Sequence, residues 1–398
     1  MTENTRDDRG AQPPGPGQTP SRGGGIVSSS STLRGRHRES SSVFFAGPAV
    51  RGHRPARQIG PRGGGQVLPP SAAMGRRSRA AGPPNCETGV RRWRCQHSGG
   101  LLSPAPFDPA ALPASVHLET GRGGLPVVRV VGRQGSAELY LHGAHLTSWT
   151  PAGGLPVLWL SAASLFTEAK AIRGGVPICF PWFGANPLDP AAPAHGFARL
   201  SAWELVGARD EDGTVAVTLR LADSPATRTT AWPHRFEALY TVTVGARLTL
   251  ALTVTNRGPD AVTFEEALHS YLAVDDIRAT EVTGLEGAPY LDQLAGMSVE
   301  TDTVPVRFSA ETDRIYLDSP AATAVTDGSG RTVSIATGGS HSTIVWNPWI
   351  VKAGSMVDFG DDEWTGMVCV ETANVRTDAV RLGPGQSHTM SLLLSAIA

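Results

Sequence analysis

The sequence contains 398 residues, of which 40% are hydrophobic, and its net charge of −1 conceals two segments of opposite sign. Residues 1–100 carry 16 arginines, no lysine and 5 acidic residues, whereas the rest of the chain carries 19 basic and 31 acidic residues. No apolar run approaches the ~18 residues that a membrane-spanning helix needs, and the N-terminus lacks the apolar stretch of a signal peptide. These features exclude a helical membrane protein and predict a cytoplasmic one.

Residues 1–105 form the first predicted segment, a tail rich in glycine, proline, serine and arginine. It has no hydrophobic periodicity and cannot bury enough apolar surface to offset its ordering entropy, so we predict that it is disordered. Arginine runs at 76–79 and 91–94 would suit a nucleic-acid contact, but aromatic residues at regular spacing are missing. We therefore expect a solvated tail and no nucleic-acid partner. Cys86 and Cys95 fit no standard zinc spacing, and no metal site is predicted there.

From residue 106 onward the sequence changes to short β-rich runs separated by glycine and proline turns. The predicted strands lie at 127–132, 137–143, 145–150, 157–160, 215–222, 238–258, 261–274, 323–338, 342–348, 367–372 and 388–398. Residues 239–244 alternate between two faces, and 326–332 has the composition of a hairpin turn. Long helical periodicity is missing. We predict an all-β domain over 106–398, a large antiparallel β-sandwich, and expect a monomer.

The first segment with the composition of a functional site is the region 171–199, where glycines and prolines interrupt the strand pattern. Its aromatic residues are unfavourable to expose, so the region is expected to line a cleft. Arg173 precedes Gly174 and Gly175, and Arg199 follows the run His-Gly-Phe-Ala. The planar guanidinium group of arginine can bind an oxyanion through two hydrogen bonds, and glycines let a backbone approach a ligand closely. We therefore interpret both arginines as anion-binding residues.

Two further candidates lie within predicted strands. His269 occurs in the run Ala-Leu-His-Ser-Tyr-Leu, and Glu265 and Tyr271 share its strand face by the period of two. Glu371 follows Val-Cys-Val in a strand that is predicted to be buried. An ionised carboxylate there is unfavourable unless it is paired or used, so a catalytic role is favoured over a merely hydrogen-bonded one.

Seven segments carry a family resemblance, namely AIRGGVPICFPWFG (171–184), HGFAR (195–199), EEALHSYL (265–272), ETDRIYLD (311–318), IVWNPW (344–349), FGDDEW (359–364) and CVETANV (369–375). Together and in this order they resemble the glucose-6-phosphate 1-epimerase branch of the aldose 1-epimerase superfamily, over residues 115–398. The resemblance implies a galactose-mutarotase-type antiparallel β-sandwich, which agrees with the strand pattern. The implied site residues are His269 as general acid, Glu371 as general base, Arg173, Arg199 and Asp313 on the substrate, and His195 along the sugar site.

The implied reaction interconverts the α and β anomers of a hexose 6-phosphate, with glucose 6-phosphate favoured. The acid and the base are expected on opposite sides of the sugar, and each step of ring opening and closing is a proton transfer. No metal ion or other cofactor is therefore expected. Family members commonly have Gln before the His-Gly-Phe-Ala-Arg run, where this sequence has Ala194. One substrate hydrogen bond of the family is thus expected to be missing here.

Two alternatives stay open from the residues alone. The chain could be an aldose 1-epimerase that acts on unphosphorylated hexoses. It could also be a noncatalytic carbohydrate-binding domain that uses Trp182, Trp346 and Trp349 as stacking platforms. The distinguishing feature is whether His269 and Glu371 face one pocket, because a binding module has no need of that pair.

Overall fold

The computed structural model describes residues 112–397, which form 23 β-strands and one α-helix. The predicted tail over residues 1–105 and its boundary with the domain lie outside the described residues. The strands in chain order are β1 (Val116–Thr120), β2 (Pro126–Gly132), β3 (Gly135–Tyr140), β4 (His145–Pro151), β5 (Ile178–Cys179), β6 (Glu204–Glu211), β7 (Thr214–Ala222), β8 (Phe236–Val244), β9 (Leu248–Asn256), β10 (Val262–Phe264), β11 (Glu266–Leu268), β12 (Tyr271–Ala273), β13 (Glu281–Thr283), β14 (Pro289–Asp292), β15 (Ser298–Thr301), β16 (Val306–Arg307), β17 (Thr312–Leu317), β18 (Ala322–Thr326), β19 (Thr332–Gly338), β20 (Ser342–Asn347), β21 (Met367–Asn374), β22 (Val380–Leu382) and β23 (Ser387–Ile397). The helix, α1, spans Trp349–Ser355.

The strands form four sheets, and each pair of neighbouring strands is antiparallel. The nine-stranded sheet has the order β16-β13-β18-β19-β23-β9-β8-β7-β6. The eight-stranded sheet has the order β15-β14-β17-β20-β21-β11-β5, with β12 also paired to β21. Strands β1 to β4 form a third sheet, and β10 pairs with β22.

The core forms where the apolar faces of these sheets meet. The alternation predicted at 239–244 is confirmed, because residues of β8 alternate between buried and half-buried positions along the whole strand. Tyr240 and Leu252 of the nine-stranded sheet belong to the same hydrophobic cluster as Val345 and Val370 of the eight-stranded sheet. Sheets that share one core in this way make a sandwich, so the predicted all-β sandwich is confirmed.

The strands differ locally from the prediction: for example, the run 261–274 is divided into β10, β11 and β12. Residues 157–160 form isolated bridges, from Leu158 to Leu272 and from Leu160 to Gly174, instead of a strand. This run is apolar because it is largely buried, and period alone cannot distinguish burial from strand pairing. The helix Trp349–Ser355 was not predicted, since its 7 residues are too few to show helical periodicity. Among the described residues, none of the helical segments is long and apolar enough to cross a bilayer.

Candidate active site

The register of the eight-stranded sheet places the candidate residues on one face. Residues opposite each other in an antiparallel pair point to the same face, as does every second residue along a strand. The first row across the sheet runs through Tyr271, Cys369, Trp346 and Asp313. The second row contains Glu371 opposite Ile344, and the common register of β11 and β12 against β21 sets His269 opposite Glu371. Residues predicted from separate motifs therefore meet above a single surface.

His269 and Glu371 form a close pair. The Nε2 atom of His269 lies 3.4 Å from Oε1 of Glu371, and both side chains are buried. They face one cavity of about 230 Å³ together with His195, Asp313 and Arg173. The expectation that they stand on opposite sides of a sugar is wrong, because no ring fits between atoms this close. Adjacent placement suits the chemistry, since the ring oxygen and the C1 hydroxyl oxygen are both bonded to C1.

The environment moves the pKa values of this pair toward each other's ordinary range. Burial lowers the pKa of His269 well below its ordinary value, and the charges of Arg199 and Arg173 act in the same direction. Burial raises the pKa of Glu371 well above its ordinary value, and the carboxylate of Asp313 raises it further. Burial thus disfavours the charged form of each group, the imidazolium of His269 and the carboxylate of Glu371.

The imidazole of His269 is held by aromatic rings. It stacks on Tyr271, with ring centres 4.8 Å apart and planes within 8° of parallel. The ring of Trp346 meets it edge-on at 6.1 Å. The period of two predicted that Glu265 and Tyr271 lie beside His269, but only Tyr271 does. Glu265 instead accepts hydrogen bonds from the backbone of Phe183 and from Arg376, because it lies in the break between β10 and β11.

The predicted anion-binding residues lie at one end of the site, around a second cavity of about 310 Å³. Arg173 donates to the hydroxyl of Tyr271 at 3.0 Å and forms an ion pair with Asp358 at 3.2 Å. Arg199 donates to the carbonyl oxygen of Ala194 at 2.8 Å. Lys170 lines the same cavity. Among residues 112–397, the Nε atoms of both arginines are buried and have no hydrogen-bond partner.

The glycines beside Arg173 serve the fold rather than a ligand. Gly174 and Gly175 have φ values of 106° and 60°, and a Cβ on Gly175 would lie 2.1 Å from the carbonyl oxygen of Leu146. The close approach that glycine permits is therefore to strand β4, which corrects the expectation of an approach to a ligand. The tight packing fixes the position from which Arg173 extends.

His195 lines the cavity that His269 and Glu371 face. Its ring meets Phe183 edge-on at 4.7 Å and lies 5.8 Å from the ring of His269. The backbone N–H of Gly184 donates to its Nδ1 at 3.3 Å, which leaves the proton of the neutral ring on Nε2. Burial lowers the pKa of His195 to about 3, so the ring stays neutral and can donate to a sugar oxygen.

Asp313 lines the cavity that His269 and Glu371 face, together with Gln293 and Lys352. Its backbone carbonyl accepts from the backbone N–H of Gln293 at 2.9 Å, and the side-chain amide of Gln293 donates to Oδ1 of Asp313. Sequence reasoning missed both Gln293 and Lys352. Gln293 lies in a turn and Lys352 on a short helix, and neither stands in a sequence pattern that indicates a site. They join the site only because the sheet brings distant segments together.

The tryptophans do not form the exposed platform that a binding module needs. Trp182 is buried and donates to the carbonyl oxygen of Pro193 at 3.0 Å. Trp349 packs on Trp364 with ring centres 4.3 Å apart. Of these three tryptophans, Trp346 alone lines the cavity that His269 and Glu371 face. The arrangement favours a catalytic pocket over a flat carbohydrate-binding surface.

One group among the described residues has the composition of a metal site. Donor atoms of His269, Cys369 and Glu371 lie within 4.8 Å of one another. Burial raises the pKa of the Cys369 thiol well above its ordinary value, and a thiol must lose its proton before it binds a metal ion. We do not assign a metal ion to this group.

The sequence as a whole matches known proteins. The family model described as aldose 1-epimerase matches residues 127–395. A protein from Salmonella typhimurium is 40% identical over 251 residues, which cover 62% of this chain and 83% of the relative. A protein from Cenchrus ciliaris is 36% identical over 278 residues, covering 66% of this chain and 81% of the relative. Both relatives carry glucose-6-phosphate 1-epimerase as a provisional name.

Solved structures agree with these matches. The crystal structure of a provisionally named mutarotase from Salmonella typhimurium has a TM-score of 0.64 at 32% identity, covering 71% of this chain and 96% of that one. A galactose mutarotase related enzyme from Lactobacillus acidophilus has a TM-score of 0.55 at 13% identity, covering 68% of this chain and 97% of that one. The second likeness concerns the fold alone.

Proposed function

The chain belongs to the aldose 1-epimerase family, and from this premise we propose that it interconverts the α and β anomers of hexose 6-phosphates, with glucose 6-phosphate favoured. Membership makes the protein an isomerase. The observation that carries the proposal is the His269–Glu371 pair, whose facing atoms are 3.4 Å apart beside a cavity with arginines at one end. Acid, base and anion site are thus within reach of one sugar phosphate.

Ring opening proceeds from the ionised form of the pair, imidazolium and carboxylate, which forms from the neutral pair by transfer of one proton across the 3.4 Å contact. Glu371 takes the proton of the C1 hydroxyl as the C1–O5 bond breaks, and His269 gives its proton to the ring oxygen O5. The products are the open-chain aldehyde, a neutral imidazole and a protonated carboxyl. After rotation about C1–C2, O5 attacks the other face of C1. The O5 proton returns to His269, and Glu371 gives its proton to the aldehyde oxygen, which becomes the new C1 hydroxyl.

The buried position of the pair favours this exchange. The pair carries one proton before and after ring opening, so its net charge is zero in both states. Burial lowers the pKa of His269 and raises that of Glu371, which stabilises the neutral form reached after ring opening. The chemistry requires only proton transfers, each typically contributing about 10²–10⁴-fold to the rate.

The phosphate is proposed to bind at the arginine end. Arg173 and Arg199 present guanidinium groups, and Lys170 adds a third positive charge to the same cavity. Asp358 contributes one negative charge through its ion pair with Arg173, so the cavity has a formal charge that matches a phosphate dianion. Charge-assisted hydrogen bonds of this kind are worth roughly 1.5–3 kcal/mol each.

Anomer exchange measured by NMR tests the proposal. We expect magnetisation exchange between the α and β C1 signals of glucose 6-phosphate to quicken when the protein is added. Galactose 6-phosphate, glucose and galactose serve as parallel substrates. Faster exchange of a free hexose than of any sugar phosphate would overturn the substrate assignment and indicate an aldose 1-epimerase for unphosphorylated sugars.

A further inference from the structure

Glu265 lies in the break between β10 and β11, and its carboxylate joins two segments that are distant in sequence. Oε2 accepts a hydrogen bond from the backbone N–H of Phe183 at 2.9 Å. Oε1 accepts from the backbone N–H of Arg376 at 2.7 Å and from its guanidinium group at 3.0 Å. The backbone N–H of Glu265 itself donates to the carbonyl oxygen of Pro181 at 3.0 Å. One carboxylate thus ties the segment after β5 to the segment after β21.

The backbone groups that Glu265 binds belong to segments outside the strand ladders. Phe183 follows β5, which ends at Cys179, and Arg376 follows β21, which ends at Asn374. A buried backbone N–H is costly to leave without an acceptor, and outside a ladder a side chain can supply one. The side chain of Glu265 is only 18% exposed and supplies an acceptor to both segments. It therefore sets the position of the segment that carries Phe183.

This segment continues directly into the cavity that His269 and Glu371 face. Gly184, the residue after Phe183, donates its backbone N–H to Nδ1 of His195 at 3.3 Å. The carbonyl oxygen of Gly184 accepts the backbone N–H of His195 at 2.7 Å. Phe183, Gly184 and His195 all line the cavity, whereas Glu265 does not. Glu265 therefore reaches the cavity only through the backbone that it holds.

We propose that Glu265 is a positioning residue that sets the tautomer of His195, so that this neutral ring presents an Nε2–H donor to an oxygen of the bound sugar. The inference rests on the proposed function for what the donor meets, whereas the tautomer exists without a substrate. The N–H of Gly184 is directed at Nδ1 because Glu265 holds the N–H of the preceding residue. Once that hold is lost, the ring can adopt the Nδ1–H form, which presents a lone pair to the sugar instead of a proton.

Glu265→Gln is the informative variant, because only a carboxylate accepts hydrogen bonds through both of its oxygens. A glutamine of the same size has one acceptor oxygen and one NH₂ group, which can only donate. If the oxygen accepts from one of the two segments, the NH₂ group faces an N–H of the other. Arg376 directs two donors at Oε1, one of them charged, so we expect it to keep the acceptor. The N–H of Phe183 should then be released.

The first measurement is the tautomer of His195 in the full-length chain at neutral pH, without a substrate. Burial lowers the pKa of His195 to about 3, so the ring is neutral under these conditions. Nitrogen–proton NMR correlations distinguish a protonated ring nitrogen from an unprotonated one, and His195→Asn identifies the signals by their loss. Asparagine is chosen because residue 195 has a φ of 61°, a left-handed backbone that asparagine tolerates. We expect the Nε2–H form in the wild-type protein and a mixture of both tautomers in Glu265→Gln.

The second measurement is kcat/KM for anomer exchange of the best substrate. Glu265→Gln should lower it about 3- to 10-fold, the effect of one neutral hydrogen bond. In the His195→Asn background the same substitution should change kcat/KM by less than about 2-fold, because the ring through which Glu265 acts is already gone. Glu237→Gln is the matched control, since Glu237 is 19% exposed, pairs with Arg220 and Arg257, and lies on the nine-stranded sheet. It should leave the tautomer and kcat/KM unchanged.

Three results would overturn the inference and leave the proposed function intact. They are an Nδ1–H form of His195 in the wild-type protein, an unchanged tautomer in Glu265→Gln, and losses that simply multiply when Glu265→Gln and His195→Asn are combined. If Glu265→Gln does not fold, Glu265→Met replaces it, because methionine removes both acceptors without setting a donor against a donor. An unchanged tautomer in that variant is equally decisive. If instead the wild-type protein acts on free hexoses and not on sugar phosphates, the proposed function fails, while the tautomer result stands by itself.

Discussion

His269 and Glu371 stand directly opposite each other on adjacent antiparallel segments, with Nε2 and Oε1 3.4 Å apart and both side chains buried. The register that sets Leu268 opposite Thr372 continues unchanged to Tyr271 opposite Cys369, across the two residues that leave the ladder. The pair is therefore fixed by backbone pairing on both sides. Its geometry matches two oxygens bonded to one carbon, which is the arrangement that an anomeric centre presents.

The acid/base pair should be indispensable as a unit. Glu371→Gln and His269→Asn should each slow anomer exchange of the best substrate by at least about 10²-fold, because each removes one end of the proton exchange. The double variant should be little slower than the slower single variant, since residues that act together give non-additive losses. Exchange rates by NMR, with circular dichroism as the folding control, check this. A near-normal rate in a folded single variant would remove that residue from the mechanism.

Glu371→Gln should stabilise the protein while inactivating it. The folded-state pKa of Glu371 is raised well above the ordinary value of 4.5, mainly by burial. Above that ordinary value the unfolded chain ionises freely and the folded chain does not, so stability of the wild-type protein falls as pH rises toward the folded-state pKa. The variant lacks this penalty. Its melting temperature should exceed that of the wild type at pH 8, by about 2–4 °C per kcal/mol, and the difference should shrink near pH 4.

That comparison is contradicted if the melting-temperature difference stays the same from pH 4 to pH 8, which would show that the carboxyl group of Glu371 ionises freely in the folded protein. Glu211→Gln is a suitable control, because Glu211 lies in an exposed surface ion pair with Arg209. Exposed pairs contribute little to stability, so its melting temperature should follow the wild type throughout.

Replacing Arg199 should lower kcat/KM for phosphorylated sugars and not for free sugars. Arg199→Ala should lower kcat/KM for the 6-phosphate by about 10- to 100-fold, the effect of losing a charged hydrogen bond. Because the phosphate is remote from C1, this binding energy serves mainly to position the ring, and the rate with free glucose should change little. Steady-state kinetics on both sugars decide the point. Arg209→Ala, at a residue whose side chain is 66% exposed, is the matched control. Equal losses on both sugars would make Arg199 structural.

Asp313 should contribute an acid limb to the pH profile. Burial raises its pKa to about 6, so the ionised form that accepts a sugar hydroxyl is lost as pH falls below that value. We expect kcat/KM to rise through pH 6 and to level off above it. The second ionisation of a phosphate monoester has a pKa of about 6 as well, so a free hexose is the informative substrate. Asp313→Asn should lack the limb on that substrate, and a limb that persists would belong to another group.

Local sequence patterns were enough to predict the class of fold and most of the candidate site residues. Strand alternation and turn composition are local properties. The pattern at 239–244 and the hairpin at 326–332 could therefore be predicted without knowing which other segments pack against them. The confirmed family followed from seven ordered segments. Buried polar residues in apolar runs, such as His269 and Glu371, stand out because burial without a purpose is unfavourable.

Only the tertiary structure decided how these groups meet. Strand register, which depends on pairing between distant segments, sets His269 against Glu371 and aligns Gln293 with Asp313. The sequence predicted an acid and a base on opposite sides of the sugar, whereas the sheet places them side by side. Gly174 packs against the backbone of residues 159–161 and Gly175 against strand β4, and Gln293 had no local signal at all. Contacts of this kind are properties of two chain segments at once, and neither segment alone specifies them.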